Sequence, residues 1–173
     1  MSSFTIERLT PEQASAAIDE LVILLQDTVE SGASVGFLPP LSREDACAYW
    51  DKVIHQVSDE TRVLLIARVE DEIAGSVQLE AARWVNGMHR AEVQKLMVHR
   101  RFRQQGIGRG LMQVVEEEAR KIGRTLLVLD TRRGDVAEGL YVRLGYSRAG
   151  VIPKYALSAS GQLDDTVILY RQL

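Results

Sequence analysis

The chain is poor in cysteine and has no long hydrophobic run. Cys47 is the single cysteine in 173 residues, so no intramolecular disulfide can form. A lone cysteine is typical of reducing compartments, and we expect the protein to be cytoplasmic. No stretch approaches the roughly 20 apolar residues that a membrane-spanning helix needs. The first residues are polar or charged where a secretory signal peptide needs an apolar run, so we expect no export.

A strong charge of either sign is also missing. The net charge is −3, with 46% hydrophobic and 26% charged residues, as in an ordinary globular domain. This balance argues against a dedicated nucleic-acid binder. The three histidines, His55, His89 and His99, lack the spacing of zinc ligands, and we therefore expect no metal. The length favours one domain over residues 1–173.

The hydrophobic pattern predicts alternating strands and helices in the order β-α-α-β-β-β-α-β-α-β-β. Thr10, Pro11 and Gln13 have the spacing of a capping box and open a helix that we expect to end at Gly32. Asn86-Gly87 indicates a hairpin before a strand at residues 92–98. The apolar stretch at residues 125–129 is typical of a buried strand. The order predicts an α/β fold with a mixed sheet of about seven strands.

The most informative segment is a basic, glycine-rich stretch at residues 92–111. A strand leads through a loop into a helix that opens on Gly106 and Gly108, and its basic side chains are Arg100, Arg101, Arg103 and Arg109. The free N–H groups and the dipole of a helix N-terminus suit a diphosphate. The spacing fits neither the P-loop nor the dinucleotide-binding pattern. Taken alone, this segment fits equally well a tight turn whose arginines are merely solvated.

Residues 103–108, Arg-Gln-Gln-Gly-Ile-Gly, resemble the R/Q-x-x-G-x-G/A pattern of the Gcn5-related N-acetyltransferases, the acetyl-CoA-dependent GNAT superfamily. The predicted element order is also that of the superfamily over the whole chain. The resemblance implies a strongly twisted sheet that splits between the strands at residues 92–98 and 125–129, with the pantetheine of acetyl-CoA in the split. It implies that the cofactor is bound by Leu96, Met97, Val98, Arg103, Gln104, Gly106, Ile107, Gly108 and Arg109.

Acetyl transfer to an amine needs a base for the ammonium group, and two carboxylates are candidates. Glu92 starts the strand that enters the glycine turn, and Asp130 ends the strand at residues 125–129. If these strands are neighbours, both carboxylates face the region where the strands part. The alternative for Glu92 is a solvated partner of Arg90, and for Asp130 a turn or helix N-cap residue. Which carboxylate is the base stays open.

Tyr141 is the candidate acid that protonates the departing thiolate. Residues 137–146 resemble the A-x-x-x-Y-x-x-x-G-[FY] pattern of the superfamily, whose tyrosine often lies beside the CoA sulfur. The alternative is a tyrosine that only fills the core. The asparagine that is common seven residues before this tyrosine is replaced here by Gly134. Cys47 lies within a predicted helix and is interpreted as a packing residue.

Blocks at residues 32–37, 86–98 and 129–131 resemble a branch of the superfamily that acetylates a β-lactam amino-acid toxin. This likeness implies a small amino-acid-like amine as acceptor, with Phe37 in the loop that shapes the acceptor pocket. A free amino acid offers a carboxylate with which Arg90 can pair, and the alternative is that Arg90 only neutralises Glu92. A protein lysine or N-terminal acetyltransferase and a non-catalytic acyl-CoA sensor remain as alternatives. Assembly into a homodimer is left open. We expect neither nucleic acid nor membrane as a partner.

Overall fold

The computed structural model describes residues 3–173, which form one seven-stranded sheet with helices on both faces. The strands are β1 Phe4–Arg8, β2 Arg62–Val69, β3 Glu72–Ala81, β4 Arg90–Val98, β5 Leu126–Arg132, β6 Ser147–Leu157 and β7 Leu163–Gln172. The helices are α1 Pro11–Ala16, α2 Ile18–Glu30, α3 Arg43–Ser58, α4 Ile107–Lys121 and α5 Val136–Arg143. Spatially the strands follow the order β1-β2-β3-β4-β5-β7-β6. The predicted α/β fold with seven strands is confirmed.

The first predicted helix is divided into two. The capping box forms as expected, because Thr10 Oγ1 accepts from the Gln13 N–H at 3.2 Å and Gln13 Oε1 accepts from the Thr10 N–H at 2.8 Å. Ala17 then leaves helical geometry, at φ −94° and ψ 10°, before α2 begins. The sequence gives no sign of this break, because the hydrophobic period continues across it and no glycine or proline marks it. Gly32 adopts φ +80° just beyond α2, as expected of a residue that ends a helix.

The sheet separates two hydrophobic cores. Side chains of β2 alternate between them, because successive residues of a strand point to opposite faces. Leu65 packs with Leu111 and Val115 of α4 on one face. Leu64 packs on the other face with α1, α2 and α3, where Trp50 is fully buried and donates its indole N–H to the Leu21 carbonyl at 2.9 Å. Burial on both faces explains the continuous apolar run of β2.

β4 and β5 run parallel but pair only where they begin. Their register joins Arg90 with Leu126 and Glu92 with Val128, and it extends no further among the described residues. β4 carries a bulge beyond this point, where Lys95 adopts φ +51° and the register against β3 shifts. A bulge bends a strand and increases its twist. The strands therefore diverge, and the predicted split of the sheet is confirmed.

Two local expectations differ from the structure. β5 continues to Arg132 because its pairing with β7 reaches Thr166, so Asp130 lies inside the strand rather than at its end. Asn86 and Gly87 lie in a short 3-10 turn within a longer connection between β3 and β4 rather than in a two-residue turn. The strands they join are antiparallel neighbours, as a hairpin requires. In the described part of the chain, every helix is too short or too polar to cross a bilayer.

Candidate active site

A cavity of about 370 Å³ lies where β4 and β5 separate. Its walls come from β4, β5, α5, the end of β6, the beginning of β7 and the loop after α2. The ionisable side chains in its lining include Glu92, Lys95, Asp130, Arg132 and Tyr141. The structure thus brings together the three residues predicted to be catalytic, Glu92, Asp130 and Tyr141.

The two carboxylates occupy neighbouring positions on one face of the sheet. Glu92 lies opposite Val128, and Asp130 is two residues further along β5, hence on the same face. Asp130 Oδ2 accepts a hydrogen bond from Thr166 Oγ1 at 2.9 Å. Asp130 does not cap α5, because Asp135 occupies the N-cap position. The N-cap alternative for Asp130 is therefore excluded.

Glu92 is held by a neighbour on its own strand. Its Oε1 accepts from Gln94 Nε2 at 3.0 Å. Among the described residues, the ion pairs of the structure do not join Glu92 to Arg90. The carboxylate is exposed to the cavity, so it can reach a small molecule there.

Tyr141 lies on α5 with only 6% of its surface exposed, and its ring is 5.9 Å from that of Tyr146. Burial raises the pKa of Tyr141 well above its ordinary value, and the charges of Asp130 and Asp135 act in the same direction. The hydroxyl therefore stays protonated at neutral pH. Tyr141 is at once part of the core and part of the cavity wall, so its two interpretations are compatible.

Lys95 is a cavity residue that the sequence analysis missed. Burial lowers the pKa of its ammonium group, whereas the nearby carboxylates of Asp130 and Glu92 raise it and Arg62 lowers it further. Its left-handed φ of +51° belongs to the bulge in β4. The signal in the sequence was a lysine directly before the apolar end of the strand, Leu96, Met97 and Val98.

Arg132 was also missed, and it ties the loop after α2 to the sheet. Its guanidinium donates to the Gly32 carbonyl at 3.1 Å and to Asp135 Oδ2 at 3.1 Å, and it lies 3.6 Å from Asp164 Oδ2. These contacts join three chain segments that are distant in sequence. Pattern reasoning could not find them, because they depend on how β5, β7 and the loop meet.

The glycine turn has the features that a diphosphate needs. Gly106 precedes α4 at φ +84° and supplies no side-chain cap, so the first N–H groups of the helix stay open. The first turn of α4 carries no acidic residue. A Cβ on Gly108 would lie 3.4 Å from Leu140 Cδ2 and 3.8 Å from Val98 Cγ2, so a methyl group there would fill the space between the start of α4 and these side chains. The predicted neighbours Gln104, Ile107 and Arg109 lie on this turn or in the first turn of α4.

The turn is fastened to the C-terminal end of α2. Arg103 donates to the Val98 carbonyl at 3.1 Å and to Ser31 Oγ at 2.7 Å. Arg100 pairs with Asp27, whose Oδ2 also accepts the Arg100 backbone N–H at 2.9 Å. Such anchoring keeps the N–H groups of α4 in a fixed direction. The residues present therefore fit the diphosphate of acetyl-CoA.

The strand side of the predicted cofactor site is β4 beyond its last pairing with β5. The bulge turns Leu96 and Val98 toward the core beside α4, while Met97 is buried in the other core. On the side of the split, the backbone groups of this segment have no strand partner among the described residues. An extended pantetheine arm could pair with them as a strand would.

The two predicted acceptor residues lie outside the lining of this cavity. Phe37 packs edge-on against Tyr49 at 5.3 Å and lines an adjoining cavity of about 260 Å³ between the loop after α2 and the end of β6. Arg90 is exposed at the start of β4, with one guanidinium nitrogen beside Gly87. The two cavities share Arg132 and part of the loop, so Phe37 belongs to the same region.

Comparison with known proteins agrees with this geometry. Residues 30–146 match the Acetyltransferase (GNAT) family. The chain is 34% identical over 134 residues to an uncharacterized N-acetyltransferase from the hisH-hisA intergenic region of Azospirillum brasilense, covering 76% of this chain and 77% of that protein. The chain therefore belongs to the GNAT family. It is an N-acetyltransferase, and its co-substrate is acetyl-CoA.

Solved structures show the same fold. A ribosomal-protein-alanine N-acetyltransferase from Brucella melitensis superposes with a TM-score of 0.81 at 22% identity, over 98% of this chain and 99% of that chain. The protein yncA from Salmonella typhimurium, solved with its cofactor acetyl-CoA, gives 0.76 at 18% identity, over 98% and 94%. At such identities the likeness establishes the architecture and leaves the acceptor open.

Proposed function

We propose that the protein acetylates the primary amine of a small amino-acid-like molecule, by direct attack on the thioester within a ternary complex. The observation that carries the proposal is the cavity itself. Glu92, Asp130 and Tyr141 face about 370 Å³ of space that the loop after α2 covers on one side and β6 bounds on the other. This volume is within the range of small-molecule pockets.

The carboxylates supply the base. An alkyl ammonium group has a free pKa of about 10.4, so it arrives protonated and must lose a proton before its nitrogen can attack. Glu92 or Asp130 draws off that proton, through a water molecule where the reach requires it. The nitrogen then forms a bond to the acetyl carbon and loses its second proton to solvent, and the C–S bond breaks.

Tyr141 supplies the acid. The departing thiolate takes a proton from its hydroxyl, and the tyrosine recovers one from solvent through the cavity. Burial raises the pKa of Tyr141, so the hydroxyl carries its proton at neutral pH, but the same shift makes it a weaker acid toward the thiolate. Acetyl-CoA contributes the activated acyl group, and the open N–H groups at the start of α4 hold its diphosphate.

The acceptor class rests on the loop after α2 and on the β3–β4 connection. Residues 32–37 and 86–98 resemble the tabtoxin resistance protein, so the proposal includes tabtoxinine-β-lactam or a close mimic among the acceptors. A free amino acid carries a carboxylate, for which Arg90 at the start of β4 is the proposed partner. The single cysteine supports a cytoplasmic enzyme.

Two alternatives have different structural requirements. An enzyme that acetylates protein lysines or N-termini needs an open groove for a chain, whereas here the loop after α2 lines one side of the cavity, and its Phe37 packs against Tyr49. A non-catalytic sensor of acyl-CoA needs no base. The convergence of Glu92, Asp130 and Tyr141 on one cavity favours catalysis.

The test is kcat/KM for CoA release over free amino acids, polyamines, aminoglycosides and lysine-bearing peptides. We expect an amino-acid-like amine to be preferred over every peptide. A preference for peptides over all small amines would overturn the acceptor class, and no release with any amine would favour the sensor. Arg90→Ala is measured alongside, and an unchanged kcat/KM would remove only its proposed contact with the carboxylate.

A further inference from the structure

Three charged side chains lie in one row across the neighbouring strands β2, β3 and β4. Arg62 of β2 lies opposite Glu80 of β3, and Glu80 lies opposite Glu92 of β4. Like charges directly opposite each other on antiparallel strands are destabilising. The pair Glu80 and Glu92 therefore needs neighbours that reduce the repulsion.

Arg62 supplies the first compensation. Its side chain is only 7% exposed, and its guanidinium donates to Glu80 Oε2 at 2.7 Å. The same group donates to Gln78 Oε1 at 2.6 Å and to Gln94 Oε1 at 2.9 Å. Arginine has no acceptor atom, so the amide of Gln94 must turn its oxygen toward Arg62. Its NH2 group is thereby directed to the other side.

That NH2 group bridges the two carboxylates. Gln94 Nε2 donates to Glu80 Oε2 at 3.0 Å and to Glu92 Oε1 at 3.0 Å. Each of its two N–H bonds thus has one carboxylate acceptor. A continuous chain of hydrogen bonds runs from buried Arg62 through Gln94 to the carboxylate that faces the cavity.

We infer that Arg62 and Gln94 are positioning residues for Glu92, which hold its carboxylate at a fixed place beside the reacting amine. The inference rests on the proposed role of Glu92 as a base. An exposed glutamate on a strand otherwise samples several rotamers, and proton transfer depends strongly on geometry. The network restricts that freedom through one carboxylate oxygen, Oε1, of a residue that lines the cavity.

A matched pair of substitutions tests the inference. Gln94→Leu and Gln78→Leu each remove one amide acceptor of Arg62, but only Gln94 contacts Glu92. We expect Gln94→Leu to lower kcat about tenfold or more, as small misplacements of catalytic groups do, while KM for acetyl-CoA stays unchanged. Gln78→Leu should lower the melting temperature and leave kcat at the wild-type value. Equal losses of kcat in both variants would overturn the inference.

A second substitution covers the case in which Gln94→Leu fails to fold. Gln94→Glu keeps an acceptor for Arg62 but presents oxygen, instead of N–H, to Glu92. We expect a folded protein with the same loss of kcat as Gln94→Leu. Wild-type kcat in folded Gln94→Glu would contradict the positioning role.

A double-mutant cycle separates this inference from the proposed function. In a Glu92→Gln background, Gln94→Glu should cost nothing further in kcat, because the group that it positions is already lost. Independent, multiplying losses would show that Gln94 acts elsewhere. If Glu92→Gln alone keeps wild-type kcat, the assignment of Glu92 as a base fails, and the positioning role fails with it.

Discussion

Glu92 and Asp130 face the same cavity from two strands that begin as parallel neighbours and then separate. Glu92 is the last residue of β4 in register with β5, and Asp130 lies just beyond that register on the same face. The splitting of the sheet therefore creates both the space for an acceptor and the pair of carboxylates that borders it.

Gly108→Ala should weaken acetyl-CoA binding without unfolding the protein. The added Cβ would lie 3.4 Å from Leu140 Cδ2, which the fold can tolerate, but it would stand beside the helix start that we propose as the diphosphate site. The measurement is the rise in melting temperature with acetyl-CoA. At an acetyl-CoA concentration of 100 Kd, binding should raise the free energy of unfolding of the wild type by about 2.7 kcal/mol. We expect no comparable rise with NAD, ATP or DNA.

Gly110→Ala is the control for that substitution. Its Cβ would lie 2.9 Å from a ring carbon of Phe4, so it should lower the melting temperature of the free protein. The increment produced by acetyl-CoA should persist. If Gly108→Ala keeps the full increment, or ATP stabilises the wild type more than acetyl-CoA does, the assignment of the diphosphate site is wrong.

Tyr141→Phe should lower kcat while the complex with acetyl-CoA is retained. The substitution removes the proposed proton donor and preserves the ring that packs against Tyr146. Steady-state kinetics and the acetyl-CoA dissociation constant, measured on one preparation, check this. Loss of acetyl-CoA binding in parallel with kcat would instead indicate that the hydroxyl serves mainly to bind.

The same tyrosines predict how stability depends on pH. Burial raises the pKa of Tyr141 and of Tyr146 above the ordinary value, so the folded state keeps both protons when the unfolded chain begins to lose them. The contribution of these two tyrosines to the free energy of unfolding is therefore complete below about pH 10 and is lost as the pH rises further. Above that pH the free energy of unfolding should fall less steeply in Tyr141→Phe than in the wild type, by up to about 1.4 kcal/mol per pH unit. Identical slopes would contradict the raised pKa.

Arg132→Gln should raise KM for the acceptor more than it lowers kcat. Arg132 holds the Gly32 carbonyl at the start of the loop that covers the cavity, and its loss should loosen that loop. Arg133→Gln is a matched control, because Arg133 is exposed and its ion pair joins it to Asp165, at 3.4 Å, rather than to the loop after α2. An equal change of KM in both variants would show that the loss of a positive charge, rather than a loosened loop, causes the effect.

Much of the fold follows from local patterns. The apolar spacing of Ile107, Leu111 and Val115 predicts α4, since a helix period is visible in a single segment. The glycine turn could be predicted as well, because a helix start with left-handed Gly106 has a local signature. Ile122 continues this apolar spacing, but it lies at the C-cap, one residue beyond the end of α4, and is exposed.

The remainder of the site depends on contacts between strands that are far apart in sequence. The end of β5 is set by its pairing with β7, so the position of Asp130 within the strand could not be read from residues 125–130. Lys95 lies at the cavity within the bulge of β4. Arg132 forms an ion pair there with a segment that is distant in sequence. The row that joins Arg62 to Glu92 requires the register of three strands, which periodicity does not fix.

The most direct test of the account is the rate of acetyl transfer by the double variant Glu92→Gln, Asp130→Asn on a proven acceptor, with acetyl-CoA affinity measured in the same preparation. Because removal of the ammonium proton is a task of the transition state, we expect kcat to fall by about 100-fold or more, with acetyl-CoA binding unchanged and partial recovery at higher pH. Wild-type kcat in the double variant would contradict the account, because the amine would then react at this cavity without a side-chain base.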